Sequence, residues 1–320
     1  MRITSVSPTR LKTALSCEFK YFLTYEWGWA EELFQYTFSS KFGTAVHATL
    51  EAYALARGNL DLKEEYAKQV ELHNPFLDDM NKAPSKARAA FFVEKNCQSC
   101  PFFNSPRCQL VNQHIEHFEG CPRPLYDDGF RMAQDAVKRY DAYFKTGIKS
   151  VDNPSGRVIG IECNANICWG KDEDGEDIKM NGFIDLVIEY DKDTIIIVDY
   201  KTGYSTPTHD DFIEDLQPRM YSFAAKQLFP NYKFVWVSFD YFRATALDYA
   251  FTNSDDEKTR KEVIDLYNRV KKARRIKRRA KDHYCKHLCN RPLCDIKWEE
   301  LLQGIDGSNP NRQEKKKEDD

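Results

Sequence analysis

The run Thr194-Ile195-Ile196-Ile197-Val198 constrains this chain more than any other stretch. Its residues are all β-branched, which suits a pleated strand and disfavours a helix. It is too short for a helix and too apolar for a surface strand, so it reads as the central, buried strand of a sheet. It runs straight into Asp199-Tyr200-Lys201-Thr202-Gly203, which puts charge at the end of a buried element.

The preceding segment, 178–190, also reads as a strand, and Asp191-Lys192-Asp193 is polar and turn-like. If these three residues form the loop, Tyr190 faces Thr194 and each step outward keeps the sum of paired numbers constant. Asp185 then stands opposite Asp199, with Cβ atoms about 5 Å apart. Alternation puts Lys201 on the face of Asp199. Two facing carboxylates on a buried sheet are costly unless a cation lies between them. Mg²⁺, a hard cation that takes oxygen ligands and keeps waters, suits such a place. A metal there would lower the pKa of a bound water and offset phosphate charge. Lys201 could orient or deprotonate that water, or stabilise developing negative charge. The competing reading is a salt bridge at the strand end.

Asp185, then Asp199-Tyr200-Lys201, then Gln217-Pro218-Arg219-Met220-Tyr221 resembles the PD-(D/E)XK nuclease superfamily, in its RecB-like branch. That branch carries Gly-x-x-Asp, a hydrophobic strand ending in Asp-x-Lys-Thr-Gly, a following Gln-x-x-x-Tyr and a His on an early helix. Here Gly43-Thr44-Ala45-Val46-His47 matches the last of these, and Ser5 to Tyr21 resembles the branch's N-terminal segment. The resemblance implies an α/β (α+β) fold: a mixed central β-sheet flanked by helices, with a restriction-endonuclease-like core. It implies Mg²⁺ or Mn²⁺ on Asp185, Asp199, His47 and the Tyr200 carbonyl, with Lys201 as catalytic lysine. Glu162 is the weaker candidate for the acidic residue before the first Asp. Gln217 and Tyr221 would face the site and position the DNA backbone or the lysine. Read without that context, His47 is a structural histidine and Gln217/Tyr221 an i, i+4 polar edge of a helix.

The chain has 10 cysteines and no apolar signal segment, which argues against a secreted disulfide framework and for metal binding in a cytoplasmic protein. No run approaches the ~18 apolar residues of a membrane helix. Cys285, Cys289 and Cys294 cluster near the C-terminus. The iron–sulfur nucleases of the branch, the AddB type and the CRISPR-adaptation type, hold a [4Fe–4S] cluster with three such cysteines and one near the N-terminus. By that resemblance Cys17 is the fourth ligand. The spacing departs from the family's Cys-x2-Cys-x5-Cys, being x3 then x4, and zinc, with His283 or His287 as spare ligands, is the alternative. Cys97, Cys100, Cys108 and Cys121, with His117 as substitute, form a second set. Cys-x2-Cys followed by further Cys/His reads as structural zinc, or a second iron–sulfur cluster. Cys163 and Cys168 are expected to be core cysteines.

The organisation expected is a helical N-terminal part (1–60), a Cys-rich metal-binding insertion (61–125), a nuclease core with the C-terminal cysteines (126–303) and a charged, disordered tail (304–320). Strands are expected at 157–169, 178–190, 194–201 and 233–243, and helices at 129–146 and 210–228. Net charge is −3, which decides nothing about nucleic acid, but residues 269–281 form a dense basic run on an expected helix. Lys271, Lys272, Arg274, Arg275, Lys277, Arg278 and Arg279 would contact phosphates there. The aromatics of 233–243 are expected in the core rather than stacked on bases. Together these features predict a metal-dependent DNA nuclease, an exonuclease acting on free ends in recombination, repair or replication. With no helicase motif in the chain, unwinding would fall to a helicase or recombination partner. The alternatives are an inactive DNA-binding scaffold that keeps the fold, and a sequence- or structure-specific endonuclease.

Overall fold

The computed structural model describes residues 5–26, 38–73, 123–146, 156–203 and 205–272. Its helices are α1 (Pro8–Ser16), α2 (Glu18–Tyr21) with a π-helical turn to Glu26, α3 (Phe38–Leu55), α4 (Leu62–His73), α5 (Arg123–Thr146), α6 (His209–Glu214), α7 (Leu216–Leu228) and α8 (Asn253–Lys272). The strands are β1 (Arg157–Asn164), β2 (Cys168–Lys171), β3 (Asp177–Lys179), β4 (Phe183–Glu189), β5 (Thr194–Lys201), β6 (Phe234–Tyr241) and β7 (Ala246–Ala250). No helix among the described residues is long and apolar enough to cross a membrane.

Five strands form one sheet in the order β1-β4-β5-β6-β7. All neighbours are antiparallel except β5 and β6, which run parallel and are joined through α6 and α7. This is the mixed, helix-flanked α/β architecture expected, with β5 at its centre. The β-branched run puts Ile195 and Ile197 into one core and Val198 into the other, which is why it tolerates no charge until Asp199. The first core packs α1, α7, α8 and the β2–β3 hairpin on one face, and the second packs α3, α4 and α5 on the other. Ser7 caps α1 by accepting from the Arg10 N–H at 3.1 Å, with Pro8 at the first helical position. Val6 fixes this N-terminal segment to the sheet: its N–H donates to Lys179 at 2.7 Å and its carbonyl accepts from Asn181 at 2.8 Å.

Two expected strands are each broken. Residues 157–169 and 178–190 form a bent antiparallel ribbon that leaves the main sheet, held at the bend by Ala165 N–H to Gly182 O and Met180 N–H to Ile167 O, both 2.8 Å. The bend lays the hairpin over α7 and α8. Trp169, fully buried, stacks on Phe223 at 4.4 Å, and the Trp169 carbonyl accepts from Arg260 at 2.9 Å. The expected helix 210–228 is also two helices, broken at Asp215, whose extended backbone and side chain cap α7. Strand β7 was not anticipated. Helix α4 falls in the segment assigned to the insertion, yet it buries Tyr66 and Val70 in the second core. Cys163 packs against the first core, but Cys168 is exposed, which corrects the expectation of two core cysteines.

Candidate active site

The expected β4–β5 register is the one found. Tyr190 N–H donates to Thr194 O at 2.9 Å, and the ladder runs from Glu189↔Ile195 to Leu186↔Val198. The same count makes Asp185 and Asp199 the next pair, but they do not simply face each other there. Beyond Val198 the Tyr200 N–H donates to the Asp185 carboxylate (Oδ2) at 2.7 Å. The side chain of Asp185 takes the place of a ladder carbonyl at this end of the sheet.

Side chains from both helical layers reach this end. On the α7 side, the buried Asp199 carboxylate meets the Lys201 ammonium, which also donates to Gln217 Oε1 at 3.1 Å and lies 4.3 Å from the Phe239 ring centre. Gln217 Nε2 donates to Asp199 Oδ1 and to the Tyr221 hydroxyl, each at 3.2 Å. Gln217 can do this because Asp215 caps α7 by accepting its N–H at 2.7 Å, which fixes the first turn. Burial raises the Asp199 pKa, against the pull of Lys201 and with the added push of Asp185. Asp199 Oδ2 is buried and has no aligned hydrogen bond; the close lysine contact is one of charge.

On the α3 side, His47 Nδ1 lies 3.4 Å from Asp185 Oδ2, and the imidazole meets the Tyr200 ring edge-on at 5.7 Å. Helix α3 presents His47 here by burying Val46 and Leu50 on its inner face. Burial lowers the His47 pKa, but the charge and hydrogen bond of Asp185, with Asp199 and Glu162, raise it overall. The third group comes from β1. Ile161 pairs with Leu186 and Cys163 with Ile184, so Glu162 stands abreast of Asp185. Its φ is +45°, in the left-handed region that a glutamate inside a strand rarely enters. Such a conformation costs about 1–3 kcal/mol and persists only where the surroundings impose it. Gly160 helps impose it: a Cβ there would sit 2.2 Å from Cys163 Sγ. Burial, then the charges of Asp185 and Glu51, push the Glu162 carboxyl up to about 7.

His47, Glu162 and Asp185 each offer one ligand atom, all within 4.8 Å of one another. A nitrogen and two carboxylates suit Mg²⁺ or Mn²⁺. The raised Glu162 carboxyl is what an anionic group shows where a cation is needed. The residues present therefore fit a divalent ion. Sequence spacing gave no sign that Glu162 adopts a left-handed turn, or that Asp199 turns to Lys201 and Gln217.

One supporting residue carries no sequence signal, and a second enters the sequence reading only as the start of the His47 motif. Arg243, just after β6, bonds the Thr202 carbonyl and the buried carboxylate of Asp128, and its guanidinium lies 5.9 Å from the Phe42 ring centre. Gly43, next to Phe42 on α3, would bring a Cβ within 3.0 Å of Thr202 Oγ1. The chain after Lys201 is thus held against the helix that carries His47. A lone Arg after a strand carries no sequence signal for this.

The other expected residues fall elsewhere. Cys17 lies between α1 and α2, half-buried, its Sγ accepting from the Lys20 N–H at 3.4 Å. Cys97, Cys100, Cys108, Cys121 and His117, the tail cysteines Cys285, Cys289 and Cys294, and Arg274, Arg275, Lys277, Arg278 and Arg279 lie outside the described residues. Lys271 and Lys272 are described, and the acidic β2–β3 hairpin engages both. Lys271 Nζ lies 2.5 Å from Asp172 and 2.6 Å from Asp174, and Lys272 meets Glu173. A phosphate would have to displace these carboxylates. In β6, Phe239, Tyr241 and Phe242 nearby are buried as expected, while Phe234 and Trp236 are exposed at the sheet end opposite the site.

The site is thus a set of carboxylates, a histidine and a lysine gathered where the central strands of a five-stranded mixed sheet end, between two helical layers. The family model described as the PD-(D/E)XK nuclease superfamily matches residues 5–298, and the chain belongs to that superfamily. A search of curated proteins gave no match.

Proposed function

We propose that this protein is a Mg²⁺- or Mn²⁺-dependent deoxyribonuclease, acting as an exonuclease on DNA ends in recombination, repair or replication. The observation that carries the reading is the convergence of His47, Glu162 and Asp185 within 4.8 Å, beside the Asp199–Lys201–Gln217 network. His47, Glu162, Asp185 and Asp199, with the Tyr200 carbonyl, would hold the ion. When bound, the ion lowers the pKa of a water and offsets charge on the phosphate.

The chain's own groups do the rest. Gln217 holds the Lys201 ammonium through Oε1 and, through Nε2, orients Asp199. Lys201 directs the attacking water and stabilises charge on the phosphate oxygens as the new P–O bond forms; the water gives its proton to solvent, and the leaving oxygen departs with a proton taken from solvent. Tyr221 braces Gln217, and burial keeps its hydroxyl neutral. A [4Fe–4S] cluster on Cys17, Cys285, Cys289 and Cys294, and zinc on Cys97, Cys100, Cys108 and Cys121, belong to the same reading, as do phosphate contacts by the basic run.

The test is digestion of end-labelled linear and closed circular DNA, single- and double-stranded, with Mg²⁺ or Mn²⁺. Linear DNA should be degraded and circles spared, with activity lost in Asp199→Ala and Lys201→Ala. Cutting of circles would make the protein an endonuclease. No cutting of any substrate by metal-loaded protein ends the enzyme reading in favour of a scaffold, and full activity in both variants removes Asp199 and Lys201 from the chemistry and with them the reading of this site.

A further inference from the structure

Phe183 is an aromatic side chain left exposed (56%) at the end of the sheet that carries the candidate ligands. The other exposed aromatics among the described residues, Tyr190, Phe234 and Trp236, flank the opposite end. Phe183 begins β4, two residues before Asp185 and about 7 Å from it along the strand. The intervening Ile184 turns into the first core and is fully buried. Phe183 pairs with Asn164, itself exposed, two steps beyond the row of Glu162 and Asp185. No ring or cation among the described residues packs against the Phe183 side chain. On the Lys201 side of the same end, Gly203 is exposed, and a Cβ there would meet nothing within 4 Å. Among the described residues the mouth of the site is therefore open, with one flat apolar surface at its rim.

We propose that Phe183 is a stacking platform for an unpaired base of the cleaved strand, so that the site takes single-stranded DNA or a frayed end in preference to a paired duplex. This rests on the nuclease reading above. The groups around the candidate ion are carboxylates, an imidazole and an ammonium, all suited to a phosphate and its cation. None is placed as a base-edge reader. A phenyl ring at about one nucleotide's reach engages any base, since every base has a π-face. In a duplex those faces are already covered by neighbouring bases, and unstacking has to come first.

The test compares wild type, Phe183→Ala and Phe183→Trp on an end-labelled oligonucleotide, as a single strand and as a blunt duplex, with Mg²⁺. Phe183→Ala should lower kcat/KM on the single strand by about 5- to 150-fold, the loss of one base–aromatic stack. The fall should lie mostly in KM, the single-strand preference should shrink by a similar factor, and Phe183→Trp should restore it. A single abasic nucleotide moved along the strand should slow wild type at one position and leave Phe183→Ala indifferent there. An active wild type with the same single-strand to duplex ratio in Phe183→Ala overturns the proposal. So does a variant that melts earlier and loses both activities equally, since that assigns Phe183 to packing. A wild type inactive on both substrates refutes the nuclease reading itself.

Discussion

Replacing Glu162 by Gln tests whether this carboxyl stands where only a cation would make its charge tolerable. The carboxyl is pushed from an ordinary value of 4.5 to about 7 in the folded chain. Between those values the folded state holds a proton that the unfolded state has released. The associated stability is complete below about 4.5 and is lost as pH rises through about 7. At 1.36 kcal/mol per pH unit the full difference is about 3 kcal/mol. Because Glu162 is only half-buried, screening by solvent reduces this to about 1–2 kcal/mol. Gln cannot ionise, so metal-free Glu162→Gln should match wild type at pH 4.5 and exceed it at pH 8. At about 2.1 cal/mol/K per residue, 320 residues make that about 1.5–3 °C in Tm. Scanning calorimetry of chelator-treated protein at both pH values measures the difference, in which the titrations of groups remote from Glu162 cancel. Adding Mg²⁺ at pH 8 should raise the Tm of wild type and have much less effect on the variant, because metal binding draws on the ionised carboxylate. An equal Tm difference at both pH values would refute the reasoning, as would an equal Mg²⁺ response. Glu162→Gly would add relief of the left-handed backbone, about 1 kcal/mol, and should melt higher still in the absence of metal.

Other perturbations should separate scaffold from site. Arg243→Met leaves the buried Asp128 carboxylate with Arg131 alone, at 2.6 Å, and frees the Thr202 carbonyl; about 2 kcal/mol of stability should go, read by urea denaturation, and Arg243→Met with Asp128→Asn should recover part of it. Gly129→Ala would place a Cβ 2.1 Å from the Tyr66 hydroxyl and 2.8 Å from Phe42, so it should destabilise the second core by about 3 kcal/mol, measured as a lower denaturation midpoint. Gly43→Ala meets only the rotatable Thr202 hydroxyl at 3.0 Å, so its cost should stay near 1 kcal/mol. Anaerobically purified protein should be brown with a broad visible band, and Cys17→Ser should bleach it; a colourless protein with stoichiometric zinc and no iron would remove the cluster.

The sequence alone fixed the central strand and the loop before it. A run of β-branched residues between a turn and a charged end has one good place, the middle of a sheet, and period-2 alternation then sets the register and pairs Asp185 with Asp199 in count. Lys201 was legible from its alternation with Asp199, whereas Gln217 and Tyr221 reach the site by the family resemblance alone, since spacing makes them only a polar edge of a helix. The rest depended on contacts between distant segments. Bends at Ala165–Ile167 and Met180–Gly182 come from docking the hairpin on α7 and α8, which local alternation does not encode. Glu162 stands in the site with Cys163 packed over Gly160, and Asp185 meets the Tyr200 N–H where the paired ladder stops at Val198. Periodicity decides which side of a strand a carboxylate leaves from; only the packed fold decides which group it meets, since that depends on where the two helical layers close over the sheet's end.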